Sequence, residues 1–421
     1  MNKIFIIILI LFTSLILTQD TRYLDEVFDN VTITEDVVYG NAPDLPFWFL
    51  FEWNTVDIDL DMDIYEPMGD TLNTRPAIIF IHTGAFFSGD NELDDVVDLS
   101  IASAKRGYVS FNINYRLGLN ILSTYSGERA VYRGVQDASA AIRHIREYHE
   151  EYNVDPNKIF IWGTSAGSLI GLHLAYSQDD ERPEATYGTD TDPDLGCIDC
   201  SGNNYIQNNK PNALVSCWGA IGDLNWIDPE DNIPTLMFHG TADPIIPFNS
   251  GFPFTIDIAL PIVFGSNLIH NRLDELGIYN ELYAPTELHE YWGTVNGNWF
   301  SGPNDYYYQI ITDTYSFLYN YLDVIDSGDV NSDGIINILD VVMIVNIILN
   351  NEYNDLADMN GDNIVNVIDI VQLVNIILSP IHANPDFTLE DLNPASEYFG
   401  NSIGPSFFND QVSCYYFGKQ G

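Results

Sequence analysis

Residues 159–171, IFIWGTSAGSLIG, place a serine between glycines directly after an apolar run. The run predicts a buried strand, and the residues from about Ser165 onward predict a helix. Ser165 therefore falls in a sharp strand-to-helix turn, where neighbouring side chains must be small. Gly163, Ala166 and Gly167 meet that requirement. The pattern G-x-S-x-G arises by chance in roughly one chain in seven of this length, so its meaning depends on the rest of the sequence.

Strands and helices alternate from about residue 30 to residue 322. Short apolar runs predict buried strands over 77–82, 108–115, 158–163, 212–220 and 235–240. Helical spacing of apolar residues predicts helices over 128–152, from about Ser165, and over 266–277. This alternation is typical of an α/β domain in which helices cover both faces of a mostly parallel sheet.

A serine hydroxyl needs a base, and an acid that orients the base, before it can act as a nucleophile. After a G-x-S-x-G turn the acid is expected next in the chain and the histidine last. TLMFHGTADPIIPF supplies Asp243 in a loop after a strand, and ELYAPTELHEYWG supplies His289 in a loop after an extended run. The sequence thus predicts a catalytic triad of Ser165, Asp243 and His289.

The other histidines fit the role of the base less well. His144 and His149 precede the serine on an amphipathic helix, where we expect a solvated face, and His270 lies in a helical pattern. The remaining candidates lie in the helix after the serine, at a strand end, or outside the domain: His173, His239 and His382.

The first predicted strand leads into the sequence HTGA at 82–85. Small residues directly after this strand let backbone N–H groups approach the oxygen of an attacked carbonyl. We therefore predict an oxyanion hole formed by the amides of Gly84, Ala85 and Ala166, the residue after the serine.

With these elements, residues 30–322 resemble the α/β-hydrolase superfamily, specifically its carboxylesterase and esterase/lipase branch. The resemblance rests on HTGAF (82–86), NYRLG (114–118), QDASAAIRHI (136–145), DPNKIFIWGTSAGS (155–168), HGTADPIIP (239–247) and LHEYW (288–292). Thr83 stands where the family usually has a glycine. The resemblance implies ester hydrolysis through an acyl-enzyme, in which Ser165 attacks, His289 moves the proton and Asp243 orients His289.

A duplicated segment follows this domain. Residues 329–349 and 358–378 align at an offset of 29, and 12 of the 21 aligned positions are identical. Each copy offers oxygen ligands at positions 1, 3, 5, 7, 9 and 12 of a calcium loop, followed by an apolar helix. The predicted ligands of the first loop are Asp329, Asn331, Asp333, the Ile335 carbonyl, Asn337 and Asp340. Those of the second loop are Asp358, Asn360, Asp362, the Ile364 carbonyl, Asn366 and Asp369.

The aspartate at position 12 and the paired loops resemble a dockerin-type module, a small all-α unit. This resemblance implies two structural Ca²⁺ ions, calcium-dependent folding and binding to a cohesin-type protein. The positions that in the family usually face that partner are Ile338, Leu339, Val367 and Ile368.

The composition indicates an exported protein. The chain has 61 acidic and 15 basic residues, a net charge of −46, so we expect no binding to nucleic acid or anionic membranes. Lys3 precedes the apolar run 4–12, which predicts a secretory signal peptide cleaved near Thr18 or Gln19. A retained membrane anchor is the alternative, but the run is shorter than the ~20 residues that span a bilayer.

Export permits disulfides, and the sequence CIDC at 197–200 favours a structural disulfide, although which cysteines pair is left open.

The expected organisation is a signal peptide over 1–19, a catalytic domain over 20–322, a dockerin-like module over 323–380 and a tail over 381–421. Residues 178–212 and 250–266 are expected to shape the substrate pocket. The predicted function is that of a secreted serine esterase, with attachment to the cell surface as the alternative location. Acyl esters of polysaccharides are the expected substrates, because dockerin modules often accompany polysaccharide breakdown. A serine peptidase of the same fold and a non-catalytic adhesion or scaffold protein are the alternatives.

Overall fold

The computed structural model describes residues 21–45, 52–120, 123, 126–255, 261–322, 328, 330–331, 336–350, 352–359, 364–377, 389–390 and 402–403. The chain divides after residue 324 into two compact units, which are described separately. The predicted signal peptide lies outside the described residues, and no helix within them is long and apolar enough to cross a membrane.

The first unit is built on an eight-stranded sheet with the order β1-β2-β4-β3-β5-β6-β7-β8. Its strands are β1 (Val31–Asp44), β2 (Val56–Pro67), β3 (Arg75–Ile81), β4 (Val109–Ile113), β5 (Val154–Thr164), β6 (Ala213–Cys217), β7 (Thr235–Phe238) and β8 (Asn280–Tyr283). Only β2 runs against its neighbours; β3 to β8 are all parallel. This topology confirms the predicted mostly parallel sheet of an α/β-hydrolase fold.

Within the described part of this unit, five helices accompany the sheet: α1 (Asp94–Arg106), α2 (Ser126–Glu147), α3 (Ala166–Tyr176), α4 (Ser266–Leu276) and α5 (Asp305–Tyr319). One buried cluster joins α2, α3 and α4 to one set of strand side chains, and a second joins α1 and α5 to the alternate set. Successive strand residues point to opposite faces, so Ile161 belongs to the first cluster and Trp162 to the second. Both faces of the sheet are therefore covered.

Short elements complete the first unit. Two-residue or three-residue strands lie at Ala220–Ile221, Ser250–Gly251, Val263–Gly265, Thr294–Val295 and Asn298–Trp299. Short 3-10 helices lie at Glu52–Asn54, Asp179–Glu181, Glu184–Thr186, Ile198–Cys200, Leu224–Trp226 and Pro253–Thr255. A disulfide joins Cys197 to Cys200, whereas Cys217 is buried and unpaired, and Cys414 lies outside the described residues.

Two of the sequence motifs meet in a buried ion pair. The guanidinium of Arg116, in NYRLG, contacts Asp137, in QDASAAIRHI, at 2.7 Å, and the Arg116 amide donates to the same carboxylate. Charged groups this deeply buried are tolerated only when they are paired and hydrogen-bonded. The pair therefore fixes α2 against the loop that follows β4.

One expectation about the helix before the serine is wrong. We expected His144 on a solvated face, but its ring is buried, and its Nε2 lies 2.9 Å from the Tyr152 hydroxyl. Burial lowers the pKa of His144 to about 4. The helix lies against both the sheet and the segment 198–205, which covers the face that helical periodicity marks as polar.

The second unit contains α6 (Ile338–Asn350) and α7 (Val367–Ile377), with a short 3-10 helix at Asp355–Ala357 and two paired strands at Leu389–Glu390 and Ser402–Ile403. A small buried cluster is formed by Val330, Ile344, Ile347, Ala357 and Leu373. The two helices are those predicted to follow the two calcium loops.

Candidate active site

Ser165 lies in the turn between β5 and α3, and its backbone is in the left-handed region (φ 50°, ψ −111°). Only glycine enters this region freely, so a serine there must be held by its surroundings. The turn is crowded: a Cβ on Gly163 would lie 2.4 Å from the Gly167 carbonyl oxygen, and one on Gly167 would lie 2.0 Å from that of Ile81. The absence of side chains at both glycines is thus required for the turn to form.

The three residues predicted as a triad lie together at the carboxyl edge of the sheet. Ser165 follows β5, Asp243 follows β7 and His289 follows β8. The Ser165 hydroxyl is 2.9 Å from Nε2 of His289, and Nδ1 of His289 is 2.6 Å from the Asp243 carboxylate. With Nδ1–H donating to Asp243, Nε2 is free to accept the serine proton.

Asp243 is held as an ionised acid. Burial by itself would raise the pKa of its carboxyl, but hydrogen bonds from His239 and His289, the charge of His289 and the amide of Ile245 outweigh burial. The pKa of Asp243 is therefore well below its ordinary value. Its Oδ1 accepts from the amides of Ile245 and Ile246 at 2.7 and 3.0 Å, which fixes the carboxylate toward His289.

The loop after β3 has positive φ values at three consecutive residues, two of which are not glycine. Gly84, Ala85 and Phe86 have φ values of 125°, 55° and 58°. The amides of Phe87 and Ser88 both donate to the Gly84 carbonyl at 3.0 Å, which closes a tight turn. The amides of Gly118 and Leu119 donate to the Phe86 carbonyl at 2.8 and 3.0 Å, so the segment NYRLG and its continuation support this loop.

This loop lies beside Ser165, because Gly167 packs directly against the carbonyl groups of Ile81 and His82. Gly84, Ala85 and Ala166, the residues predicted to form the oxyanion hole, therefore belong to two adjoining turns. His82 does not provide a base: burial lowers its pKa to about 4, and its ring stacks on Tyr115.

His173 and His270 are not part of this arrangement, whereas His239 lies next to its acid. His173 is buried in α3 and accepts from the Gly222 amide through Nε2, and His270 contacts Asn280 and Asp274. His239 is buried, with Nε2 3.4 Å from the Asp243 carboxylate, so it faces the acid rather than the serine. His382 lies outside the described residues.

Sequence reasoning assigned no role to two polar residues next to the site. Thr83 donates its hydroxyl proton to Glu290 at 2.9 Å, and both residues are buried. Glu290 lies in the motif LHEYW, and Thr83 lies in the motif HTGAF at the position where the family usually has a glycine. The contact between them joins positions 207 residues apart, so neither motif could have indicated it alone.

A cavity of about 250 Å³ opens between α2, α3 and the two segments expected to shape the pocket. Leu169, whose amide donates to the Ser165 carbonyl, lines it together with Val135 and Trp226. Gln178 and Arg182 contribute from one segment, and Pro261, Ile262 and Val263 from the other. The exposed wall is mainly apolar, but polar and charged side chains also line it: Glu128, His173, Ser177, Gln178, Arg182 and Asp223.

In the second unit, the last ligand of each predicted calcium loop is a fully buried aspartate. Asp340 accepts from the amides of Asn331 and Asn337, and Asp369 accepts from those of Met359 and Asn366. Asp358 is also buried, and the Ile364 position is exposed. The other predicted ligands, Asp329, Asp333, Ile335, Asn360 and Asp362, lie outside the described residues.

The donor set of this unit fits a hard cation. The predicted ligands are all oxygen atoms, which Ca²⁺ prefers, and residues 323–380 contain no Lys, Arg or His to neutralise the aspartates. Within the described ranges no three or more His, Cys, Asp or Glu side chains converge on one point.

Known protein families match part of each unit. Residues 62–228 match the family model BD-FAE, and residues 327–378 match the dockerin type I domain. The chain is 33% identical over 117 residues to juvenile hormone esterase of Tribolium castaneum, covering 27% of this chain and 20% of that protein. It is 33% identical over 120 residues to mouse carboxylesterase 3B, and this match covers 28% of this chain and 20% of that protein. The chain thus spans about a fifth of the length of these relatives.

Among solved structures, esterase 2 of Thermogutta terrifontis, bound to propionate, has 22% identity and a TM-score of 0.45, with 63% of this chain and 90% of that chain covered. The same esterase phosphoramylated by tabun has 21% identity and a TM-score of 0.48, and the match covers 70% of this chain and 96% of that chain. The family models confirm both resemblances: the chain carries an esterase-like α/β-hydrolase domain and a dockerin type I domain.

A buried carboxyl beside the site generates a prediction about pH. Asp95 is fully buried, and its Oδ2 has no hydrogen-bond partner among the described residues. Burial, and then the nearby charges of Glu290 and Asp94, raise the pKa of Asp95 well above its ordinary value. The folded protein therefore holds this proton to higher pH than the unfolded chain does, so Asp95 makes stability fall as the pH rises above about 4.

We expect Asp95→Asn, which imitates the protonated side chain, to be more stable than the original protein at pH 7 and to differ least from it near pH 4. Urea unfolding at a series of pH values measures the difference. Parallel stability curves for the two proteins would show that Asp95 does not hold a proton in the folded state.

Proposed function

We propose that this chain is a secreted serine carboxylic-ester hydrolase that acts through Ser165, His289 and Asp243, with a dockerin module for calcium-dependent attachment. The observation that carries the proposal is the chain of contacts at 2.9 Å from Ser165 to His289 and 2.6 Å from His289 to Asp243. The similarity to esterases supports it. The catalytic domain is proposed to span residues 20–322 and the module residues 323–380.

In the proposed reaction, Nε2 of His289 removes the hydroxyl proton of Ser165 as its oxygen attacks the ester carbonyl. Asp243, ionised across the physiological range, stabilises the imidazolium that forms. The amides of Gly84, Ala85 and Ala166 stabilise the oxyanion; losing one such donor typically costs about 3 kcal/mol. His289 then gives the proton to the departing alcohol, which leaves an acyl group on Ser165, and water releases the acid by the reverse steps.

The proposed substrates are acyl esters of polysaccharides. The association with a dockerin module supports a polymeric substrate, because such a module would hold the enzyme at the surface where the polymer is degraded. The cavity beside α3 would accept the apolar part of the ester, since its wall is mainly apolar and includes Leu169, one turn after the serine.

The proposed partner of the second unit is a cohesin-type protein. The residues implied by the resemblance as partner-facing are exposed in both helices: Ile338 and Leu339 in α6 and Val367 and Ile368 in α7, each more than half exposed. Exposed apolar side chains at equivalent positions of two repeats form a surface that a protein partner can cover.

Two Ca²⁺ ions are proposed for this unit. Asp329, Asn331, Asp333, the Ile335 carbonyl, Asn337 and Asp340 would hold one ion. Asp358, Asn360, Asp362, the Ile364 carbonyl, Asn366 and Asp369 would hold the other. The ions would neutralise the clustered carboxylates and so allow the unit to fold.

Substitution of the proposed nucleophile and base tests the activity. We expect Ser165→Ala and His289→Ala each to lower kcat for p-nitrophenyl esters by a factor on the order of 10³ or more while the protein stays folded. His270→Ala is the matched control and should keep its activity, because its side chain contacts only Asn280 and Asp274. A folded Ser165→Ala protein with full activity would reject the assignment. Activity on peptides but not esters would favour the peptidase.

Removal of calcium tests the second unit. In the full chain, we expect a chelator to abolish an unfolding transition that Ca²⁺ restores, with little change in ester hydrolysis. Asp340→Ala with Asp369→Ala should have the same effect as the chelator, because each removes a buried carboxylate from its loop. Calorimetry with parallel activity measurements checks both points. An unchanged calorimetric profile with and without calcium would contradict the assigned sites.

A further inference from the structure

The proposed site is assembled from loops that follow different strands, and one buried carboxylate joins two of them. Thr83 directly precedes Gly84 in the loop after β3, and Glu290 directly follows His289 in the loop after β8. The Thr83 hydroxyl donates to Oε1 of Glu290 at 2.9 Å. The two side chains are 2% and 6% exposed, so water cannot readily replace this bond.

The other carboxylate oxygen anchors Glu290 within its own loop. Oε2 accepts from the Thr294 hydroxyl at 3.1 Å and from the Gly297 amide at 3.2 Å. Together with Thr83, three donors satisfy a carboxylate that enters no ion pair within the described residues. Hydrogen bonds that are shielded from water are electrostatically stronger than exposed ones.

Both loops need such support because their backbones are strained. Glu290 itself has a φ of 48°, and Ala85 and Phe86 have φ values of 55° and 58°. Non-glycine residues in this region are strained and persist only where the surroundings fix them. The hydrogen bond between Thr83 and Glu290, called the tie below, restrains the two loops, whose strained backbones would otherwise relax.

We propose that Glu290 and Thr83 are positioning residues. They hold the loop after β3, called the oxyanion loop, at a fixed position relative to the loop after β8, which carries His289. The inference rests on the proposed ester hydrolysis. The tie fixes where the amides of Gly84 and Ala85 lie relative to Nε2 of His289, so that both act on the same carbonyl. A glycine in place of Thr83 has no hydroxyl, so the tie is a property of this sequence.

The tie should act on the transition state more than on substrate binding. The oxyanion and the imidazolium exist only after attack begins, so a shift between the two loops weakens interactions that the bound ester does not yet make. Loss of the tie is therefore expected to lower kcat and to leave KM nearly unchanged.

The direct test compares Thr83→Val, which removes the hydroxyl and keeps the shape, with Thr83→Ser, which keeps the hydroxyl. We expect Thr83→Val to lower kcat on a short-chain p-nitrophenyl ester by about tenfold, and Thr83→Ser to stay within about twofold of the original protein; a tenfold change is ~1.4 kcal/mol. A trifluoromethyl ketone, which forms a tetrahedral oxyanion on a serine, should bind Thr83→Val correspondingly more weakly.

Thr294→Val is the matched control, because it removes another hydroxyl donor from the same carboxylate but lies outside the oxyanion loop. It should lower stability in urea unfolding with kcat within about twofold of the original. Glu290→Leu keeps most of the side-chain volume and removes both acceptor oxygens. Because Thr83→Val and Glu290→Leu each remove the same hydrogen bond, we expect kcat of the double variant to fall by less than the two single fold-losses multiplied together.

Unchanged kcat and ketone affinity in Thr83→Val would overturn the inference, as would equal losses of kcat in Thr83→Val and Thr294→Val. Failure of the proposed function would look different. In that case the unsubstituted protein would hydrolyse no ester, or the Ser165→Ala variant would remain active. That result would overturn both proposals.

Discussion

The close approach of the turn after β5 to the end of β3 is the constraint on which the site depends. Neither Gly163 nor Gly167 can carry a side chain, because the space is filled by the carbonyl groups of Gly167 and Ile81. The approach forces Ser165 into a left-handed conformation and puts it beside the loop that begins at His82. The carboxyl ends of β7 and β8 then deliver Asp243 and His289 from the same edge of the sheet.

Much of this arrangement could be predicted because it is encoded locally. The strands around Ile79 and Ile161 are continuous apolar runs, as expected for strands that are buried on both faces, and G-x-S-x-G marks the turn between them. The order of Asp243 and His289 along the chain follows from the order of the parallel strands. For the same reason the fold class was predicted correctly.

Other features could not be predicted, because they depend on partners distant in sequence. The edge strand β1 is largely exposed and lacks a continuous apolar run, so it gives little sequence signal. His144 is buried among the rings of Tyr148 and Tyr152, just beyond the end of its own helix, and Tyr205, which lies some 60 residues away in sequence. Glu290 meets Thr83 only when the sheet has formed, and a threonine or glutamate in a loop indicates no particular contact.

The two units differ in how much apolar surface they bury and in how their charges are balanced. The first buries two extensive apolar clusters against the sheet, and this burial stabilises its fold. The second has a small buried cluster and a run of 58 residues without a basic side chain, where aspartates repel unless a cation binds. Joining them would let calcium and a protein partner control where the enzyme is attached without altering its chemistry.

Covalent labelling of the nucleophile tests the central claim most directly. The protein is treated with a fluorophosphonate probe, activity is followed, and the modified residue is located by peptide mass spectrometry. The account predicts one phosphonyl group per chain, on Ser165, with loss of esterase activity in proportion to labelling. Loss of activity with the label on another residue, or full activity with Ser165 labelled, would contradict it.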